Sequence, residues 1–261
     1  MSLRRVVLAS LLTPGVLCAQ SGAAGDWRTL EQDAMWTGVF VEEHLSDKVQ
    51  LWFDGSWRRL DVGQKPQQLL LRPGLLYTLT SGLRVGGGYA YIATAPYGRL
   101  PIANPLREHR LWQDIRVSHK NGPVSFTHRY RFEQRWNTPL VLPASGGERE
   151  RGPTTYQNRF RYMGRAQMNV PRLSIGTRPV IGFVWDELLM PVGGNAPAIS
   201  VGQNRATLGV GLPIDARQRV EVGYMNLTNM FTARRANEMN HTLWLSWHWT
   251  GAAPKPRVAG K

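Results

Sequence analysis

Arginine recurs at alternate positions of the segment from Val124 to Trp136, and this spacing is the most informative chemical feature of the sequence. One set of alternate residues contains Arg129, Arg131, Glu133 and Arg135. Successive side chains of a β-strand point to opposite faces, so these four would share one face. A planar guanidinium group binds a carboxylate through two parallel hydrogen bonds. The spacing therefore predicts ion pairs between charged side chains on one face of a sheet.

Other segments continue this pattern, and together they predict one network of arginines and acids. The candidate members are Arg58, Arg72, Arg110, Asp114, Arg116, Arg129, Arg131, Glu133, Arg135, Arg159, Arg161, Arg165, Arg178, Asp186 and Arg205. Arg84, Asp54 and Glu221 fall on the same face of their segments. Pairs between neighbouring strands would brace the wall of a barrel. The surplus of arginine would leave the enclosed space positive, and rings of arginine favour anions in pores.

A hydrolytic function would need a nucleophile, a base and an orienting acid within hydrogen-bond reach. The available groups are Ser118, Ser125, His109, His119 and His128, with Asp114 or Glu133 as the acid. Ser118 and His119 are consecutive, and therefore point to opposite faces of a strand. A lipid-acyl hydrolase or transferase stays an alternative, but the pattern favours a protein that is not an enzyme. The six histidines are scattered without metal-ligand spacing, so neither a metal site nor a cofactor is predicted.

Apolar residues occupy the other alternate positions, and this alternation indicates that the charged residues lie on β-strands. In the first segment they are Val124, Phe126, Tyr130, Phe132 and Trp136. About eleven segments alternate in this way, as expected of barrel strands with one face toward lipid. A soluble sandwich would alternate similarly, but arginine on nearly every polar face and aromatic residues at strand ends favour the membrane. We predict an all-β fold, a single antiparallel transmembrane β-barrel of about 10–12 strands, with an even number expected.

The predicted connections alternate between short and long, which is typical of short periplasmic turns and longer outer loops. The short ones are His44–Lys48, Thr80–Gly82, Lys120–Gly122, Val170–Leu173 and Ile214–Gln218. The long ones are Asp61–Gln67, Ala95–Pro105, Thr138–Pro153, Leu189–Val201 and Asn229–Asn237.

The first residues have the features of a secretory signal. Arg4 and Arg5 precede an apolar run from Val6 to Cys18, and small residues follow. We predict a signal peptide over 1–24, the barrel over 25–250 and a short tail over 251–261. The mean hydropathy of −0.32 excludes a protein of many membrane helices. The net charge of +14 would suit a nucleic-acid-binding protein. The predicted export and the confinement of arginine to strand faces argue against that function.

Several blocks occur in an order that resembles a known family. They are Trp36-Thr37-Gly38-Val39-Phe40, Gly86-Gly87-Gly88-Tyr89, Glu108-His109-Arg110 with Gln113, Arg131-Phe132-Glu133-Gln134-Arg135 and Asn158-Arg159-Phe160-Arg161-Tyr162. From about Asp33 to Trp249 the chain resembles the bacterial outer-membrane family catalogued as domain of unknown function 2490. The resemblance implies an outer-membrane β-barrel. It implies no activity and no catalytic residues.

These observations predict a bacterial outer-membrane protein whose main role is structural, with a lumen braced by arginine. The alternative is a narrow anion-preferring channel or a pocket for an anionic ligand. The expected partners are outer-membrane lipid and lipopolysaccharide, the barrel assembly machinery and small anions, but not nucleic acid.

Overall fold

The computed structural model describes residues 27–99, 103–193 and 201–252, a part of the chain that is built almost wholly of β-strands. Eleven long strands form the wall: β1 Arg28–His44, β2 Val49–Leu60, β3 Lys65–Thr80, β4 Leu83–Thr94, β5 Leu106–Asn121, β6 Val124–Val141, β8 Thr155–Ile175, β9 Arg178–Val192, β10 Gln203–Pro213, β11 Gln218–Phe231 and β12 Ala236–Thr250. The two-residue strand β7, Glu150–Arg151, lies between β6 and β8, and a 3-10 turn, Thr232–Arg234, lies between β11 and β12. The predicted signal peptide, 1–24, lies outside the described residues, as does the predicted tail beyond Ala252.

The eleven long strands close into one barrel, which confirms the predicted all-β barrel fold. Each strand pairs antiparallel with its neighbours along the chain. The closing pair is parallel, because β1 runs alongside β12 from Arg28 opposite Ala236 to Glu42 opposite Thr250. The expectation of an even strand number is therefore wrong. Parallel pairing of the first and last strands closes a barrel with an odd number.

The connections lie at two ends, which we call the turn end and the loop end. The turn end holds 45–48, 81–82, 122–123, 176–177 and 214–217, and the loop end holds 61–64, 95–99, 103–105, 142–154, 193, 201–202 and 232–235. Two connections predicted to be long are short, because β3 begins at Lys65 and β12 begins at Ala236. The turn predicted at 170–173 lies at 176–177, because β8 continues to Ile175. An odd strand number places Arg28 at the loop end and Thr250 at the turn end.

The polarity of the wall is the reverse of that in a water-soluble sandwich. Large apolar side chains such as Leu75, Ile115 and Leu208 are exposed on the outer face, the last with 60% of its surface exposed. Arginine and acidic side chains are buried in the enclosed space, which we call the lumen. In the described part of the chain, no helix is both long enough and apolar enough to cross a bilayer.

Apolar side chains also enter the lumen, and glycine makes room for the largest of them. Trp52 and Trp112 pack edge to face, with ring centroids 5.1 Å apart. A Cβ atom at Gly74 would lie 2.2 Å from the Trp112 ring, and one at Gly88 would lie 2.8 Å from it. Gly74 on β3 and Gly88 on β4 therefore allow close approach, since the Trp112 ring fills the space that their side chains would occupy.

Candidate functional site: the ion-pair network of the lumen

Glu133 on β6 is the centre of a connected set of ion pairs in the lumen. Its side chain has no exposed surface, and three arginines surround it. Arg110 on β5 donates from Nη1 to Oε1 at 3.0 Å, and Arg161 on β8 donates to the same oxygen at 2.7 Å. Arg159 on β8 donates from Nε to Oε2 at 2.8 Å. One carboxylate thus ties three neighbouring strands together.

Two further carboxylates extend this set in both directions around the wall. Glu108 on β5 lies 2.6 Å from Arg110 Nη2, and it also accepts two hydrogen bonds from Arg135 on β6, at 2.7 and 2.9 Å. Glu187 on β9 is paired with Arg161 at 2.7 Å.

Glu187 has two other arginine partners. Arg129 on β6 lies 2.7 Å from it, and Arg205 on β10 lies 3.2 Å from it. The connected residues therefore span β5, β6, β8, β9 and β10. We call this set, from Glu108 to Arg205, the lumen network.

Arg131 links the network strands to the opposite wall. Its side chain is fully buried, and its Nη2 donates to Asp114 at 2.6 Å. Its guanidinium carbon lies 4.3 Å from the ring centroid of Trp112 and 5.1 Å from that of Trp52 on β2. Arg116 also pairs with Asp114, at 3.3 Å. Contacts between side chains of β6 and β2 cross the lumen and fill its middle.

Glu221 on β11 organises a separate group near the turn end. Arg165 and Arg219 pair with it at 2.7 and 3.0 Å, and His248 Nε2 lies 3.3 Å from it. The same His248 nitrogen lies 2.9 Å from Ser246 Oγ. A catalytic relay uses different ring nitrogens for the nucleophile and the acid, so this group lacks that geometry.

Most of the predicted network residues point into the lumen. These are Arg58, Arg72, Arg110, Asp114, Arg116, Arg129, Arg131, Glu133, Arg135, Arg159, Arg161, Arg165 and Arg205. Arg178 lies at the first position of β9, beside the turn at 176–177, and it forms no ion pair with the described residues. Arg84 pairs with Glu42 of β1 near the turn end.

The structure corrects the prediction on β9. Asp186 lies on the outer face, where Asn204 donates to it at 2.8 Å, and Glu187 takes the lumen position. Val180 and Phe183 are both buried although they are three residues apart, so the alternation is interrupted. This interruption lies near the irregular register between Asn169 and Ser174 on β8.

Among the described residues, four lumen acids are absent from the predicted network: Glu42, Glu108, Glu187 and Glu238. Glu108 stands two residues before Arg110 and therefore shares its face, which is a signal that the sequence contains. The sequence contains no such signal for Glu187, because the aromatic residues Phe183 and Trp185 on its face suit a lipid-facing surface as well as a packed lumen. Trp185 instead packs edge to face on Trp244 in the lumen, with centroids 5.7 Å apart.

The candidate hydrolytic residues do not meet. Ser118 lies 3.3 Å from Thr127 Oγ1, whereas His119 stacks on Phe126 and His128 on the other side of the strands. His128 Nδ1 contacts the Tyr162 hydroxyl at 2.9 Å. His109 contacts the Tyr89 hydroxyl. Within residues 27–99, 103–193 and 201–252, no group of three His, Cys, Asp or Glu side chains could hold a metal ion.

Two cavities lie toward the loop end. The outer cleft is about 740 Å³ and is lined by residues that include Glu31, Asp61 and Lys65. The inner cavity is about 180 Å³, and arginine is the most frequent of its lining residues. Tyr97, in the connection between β4 and β5, lines both. Burial raises the pKa of the Tyr97 hydroxyl, and the charge of Glu238 raises it further, so Tyr97 is a neutral phenol at pH 7.

Comparison with known proteins places this barrel in a family. The family described as "Protein of unknown function (DUF2490)" matches residues 33–239. The chain belongs to this family. The DUF2490 match includes every residue of the lumen network. The chain is also similar to an uncharacterized protein of Methylorubrum extorquens, with 31% identity over 247 residues that cover 93% of this chain and 96% of the relative.

Proposed function

We propose that this DUF2490 protein is an exported barrel of the bacterial outer membrane with a structural role, and that its lumen is closed by ion pairs. The observation that carries the proposal is the polarity of the wall. Apolar side chains cover the outside of the strands, and arginine–carboxylate pairs occupy the inside. A lipid bilayer gives an outward apolar surface of this extent a favourable solvent.

Aromatic side chains at both ends of the wall support embedding in a bilayer. Trp136 and Tyr156 lie side by side on the outer face near the loop end, with centroids 5.3 Å apart. Tyr77 is exposed near the turn end, where Trp247 and Trp249 also lie. Membrane barrels carry such aromatic girdles at the levels of the two interfaces.

The filled middle of the lumen favours a structural role over the alternative of an anion channel. The side chains of Trp112, Arg131 and Glu133 point into the lumen, yet they have no exposed surface. Arg165 on β8 reaches Glu221 on β11, which also spans the lumen. A water-filled path would leave part of such side chains accessible.

Conductance of the purified protein tests this function. The full mature chain is refolded and added to a planar bilayer, with an open porin of known conductance as the positive control. We expect no current steps from the inserted protein. Flotation of the protein with vesicles verifies separately that it inserts. Regular anion-selective steps would contradict the closed lumen and support the channel. New lipid species in outer-membrane extract would instead support the alternative of a lipid-acyl hydrolase or transferase.

A further inference from the structure

The inner cavity has a strong excess of positive charge. Seven arginines and a single carboxylate, that of Glu108, are among its lining residues. On one side of the cavity, Arg110, Arg135, Arg159 and Arg161 are paired with the carboxylates of the lumen network. Each of these four arginines therefore has at least one carboxylate partner. The other side of the cavity is different.

Arg58, Arg72 and Arg205 on that other side have few carboxylate partners. Arg58 donates only to neutral oxygens, those of Ser56 and Gln68, and no carboxylate of the described residues forms an ion pair with it. Arg205 lies 3.2 Å from Glu187, but that carboxylate is shared with two other arginines.

Arg72 has the fewest hydrogen bonds of these three arginines within the described residues. Its side chain is 3% exposed and lies 3.6 Å from Asp54. Its buried Nε has no hydrogen-bond partner among the described residues. A buried charged donor without a partner is unfavourable, because it has lost its hydration and gained nothing in exchange. The Arg72 side chain lines the cavity, so an anion there would give this guanidinium group a charged partner.

The guanidinium groups are held in fixed positions around Trp36. The Arg58 guanidinium carbon lies 3.8 Å from the Trp36 ring centroid, and that of Arg205 lies 5.1 Å from it. The indole is itself fixed, because Trp36 Nε1 donates to Gln67 at 2.9 Å. Binding would therefore require little ordering of the side chains, which is the condition for useful affinity.

From this arrangement we propose that the inner cavity binds a small oxyanion with two or more negative charges. Phosphate and carboxylate groups both match the planar donor fork of arginine. The volume of about 180 Å³ is below the range of drug-sized ligand pockets, so the ligand is of the size of phosphate, pyrophosphate or a short dicarboxylate. Because Tyr97 borders both cavities, the anion enters from the cleft at the loop end. A free anion fits this enclosed position, whereas a phosphate fixed to lipid would stay at the membrane surface.

Calorimetric titration of the full mature chain in detergent micelles tests the site. The probes are phosphate, pyrophosphate and malonate, with choline as a cationic control, all at constant ionic strength. We expect saturable binding of at least one anion and none of choline. Arg58→Gln should weaken this binding at least tenfold, and Arg84→Gln is the matched control. Arg84 is a lumen arginine paired with Glu42, and it does not line the cavity.

A second measurement needs no variant. A ligand that binds only the folded barrel raises its Tm with concentration. The Tm of the wild-type protein should rise with the anion that binds, but not with equal ionic strength of sodium chloride. Lipopolysaccharide micelles, added in place of the free anion, should not reproduce the shift. The proposal is overturned if no anion binds saturably, if Arg58→Gln binds as the wild type does, or if only lipopolysaccharide stabilises the barrel. These results do not depend on whether the barrel conducts ions.

Discussion

Arg161 on β8 donates to the Glu187 carboxylate on β9 from two nitrogens of its guanidinium group. Nε lies 3.0 Å from Oε1, and Nη2 lies 2.7 Å from each of the two oxygens. Arg161 Nη1 donates at the same time to Glu133 on β6. One buried arginine therefore joins three strands, and it does so in the middle of the lumen. Replacement of either carboxylate should therefore destabilise the barrel, because it leaves a buried cation with fewer partners.

Glu187→Gln should destabilise the barrel by about 3–5 kcal/mol, because removal of one partner of a buried ion pair leaves uncompensated charge. Asp186→Asn is the matched control at the adjacent position, where the carboxylate lies on the outer face. It should not destabilise the barrel, because it removes a charge from the outer face and leaves the lumen ion pairs intact. Urea unfolding in micelles measures both. Equal effects of the two substitutions would contradict the assignment of faces on β9.

Gly74→Ala should destabilise the barrel by about 1–3 kcal/mol, since overpacking forces side chains and backbone to shift. The added Cβ would lie 2.2 Å from the Trp112 ring and 2.7 Å from the Gly87 carbonyl oxygen. Gly164→Ala is the control, because the nearest atom there is the Tyr162 hydroxyl oxygen at 3.4 Å. Thermal unfolding compares the two variants. A neutral effect of Gly74→Ala would show that Trp112 does not lie against β3.

Leu208→Arg should impair insertion into lipid vesicles by about 2–4 kcal/mol, the cost of arginine on the lipid face near the bilayer midplane. Leu208 is the central residue of β10 and is exposed on the outer face. Ile214→Arg is the control, because Ile214 is similarly exposed but lies in the connection 214–217. The folded fraction after refolding into vesicles measures the effect. If both variants insert as the wild type does, the outer face of β10 does not meet lipid.

Cysteine labelling in intact cells should distinguish the turn end of the barrel from the loop end. If the turn end faces the periplasm, Glu148→Cys and Trp27→Cys should react with an impermeant maleimide from outside, because loop 142–154 and the start of β1 share one end. Asp47→Cys, in the connection 45–48, should react only after the outer membrane is permeabilised. Labelling of Trp27→Cys together with Asp47→Cys would contradict a β1 that crosses the membrane.

The fold was predictable because alternation of apolar and polar residues is set by the local geometry of a strand. The segment Val124–Trp136 shows this most clearly, since all four of its charged residues lie in the lumen. Glu187 was not predictable in the same way. Large aromatic residues near it, such as Trp185, are as suitable for a packed lumen as for a lipid surface, and sequence alone does not distinguish the two.

Parallel closure was also beyond the reach of the sequence. The pairing of β1 with β12 depends on the number and length of all the strands between them, and not on a local pattern. Which carboxylate a lumen arginine contacts also depends on the whole barrel and not on a local pattern. Arg58 and Arg161 both alternate with outward residues along their strands. Arg161 has two carboxylate partners, whereas Arg58 has none among the described residues.

Spin labels on β10 test most directly the central claim that the outer face of the barrel meets lipid. Leu208→Cys and Val210→Cys place labels on that face, and Asp215→Cys places one in the adjacent connection. In refolded vesicles, the first two labels should collide often with oxygen and rarely with a water-soluble nickel chelate, and the label at residue 215 should show the reverse. Equal access of the nickel chelate to all three labels would contradict the account.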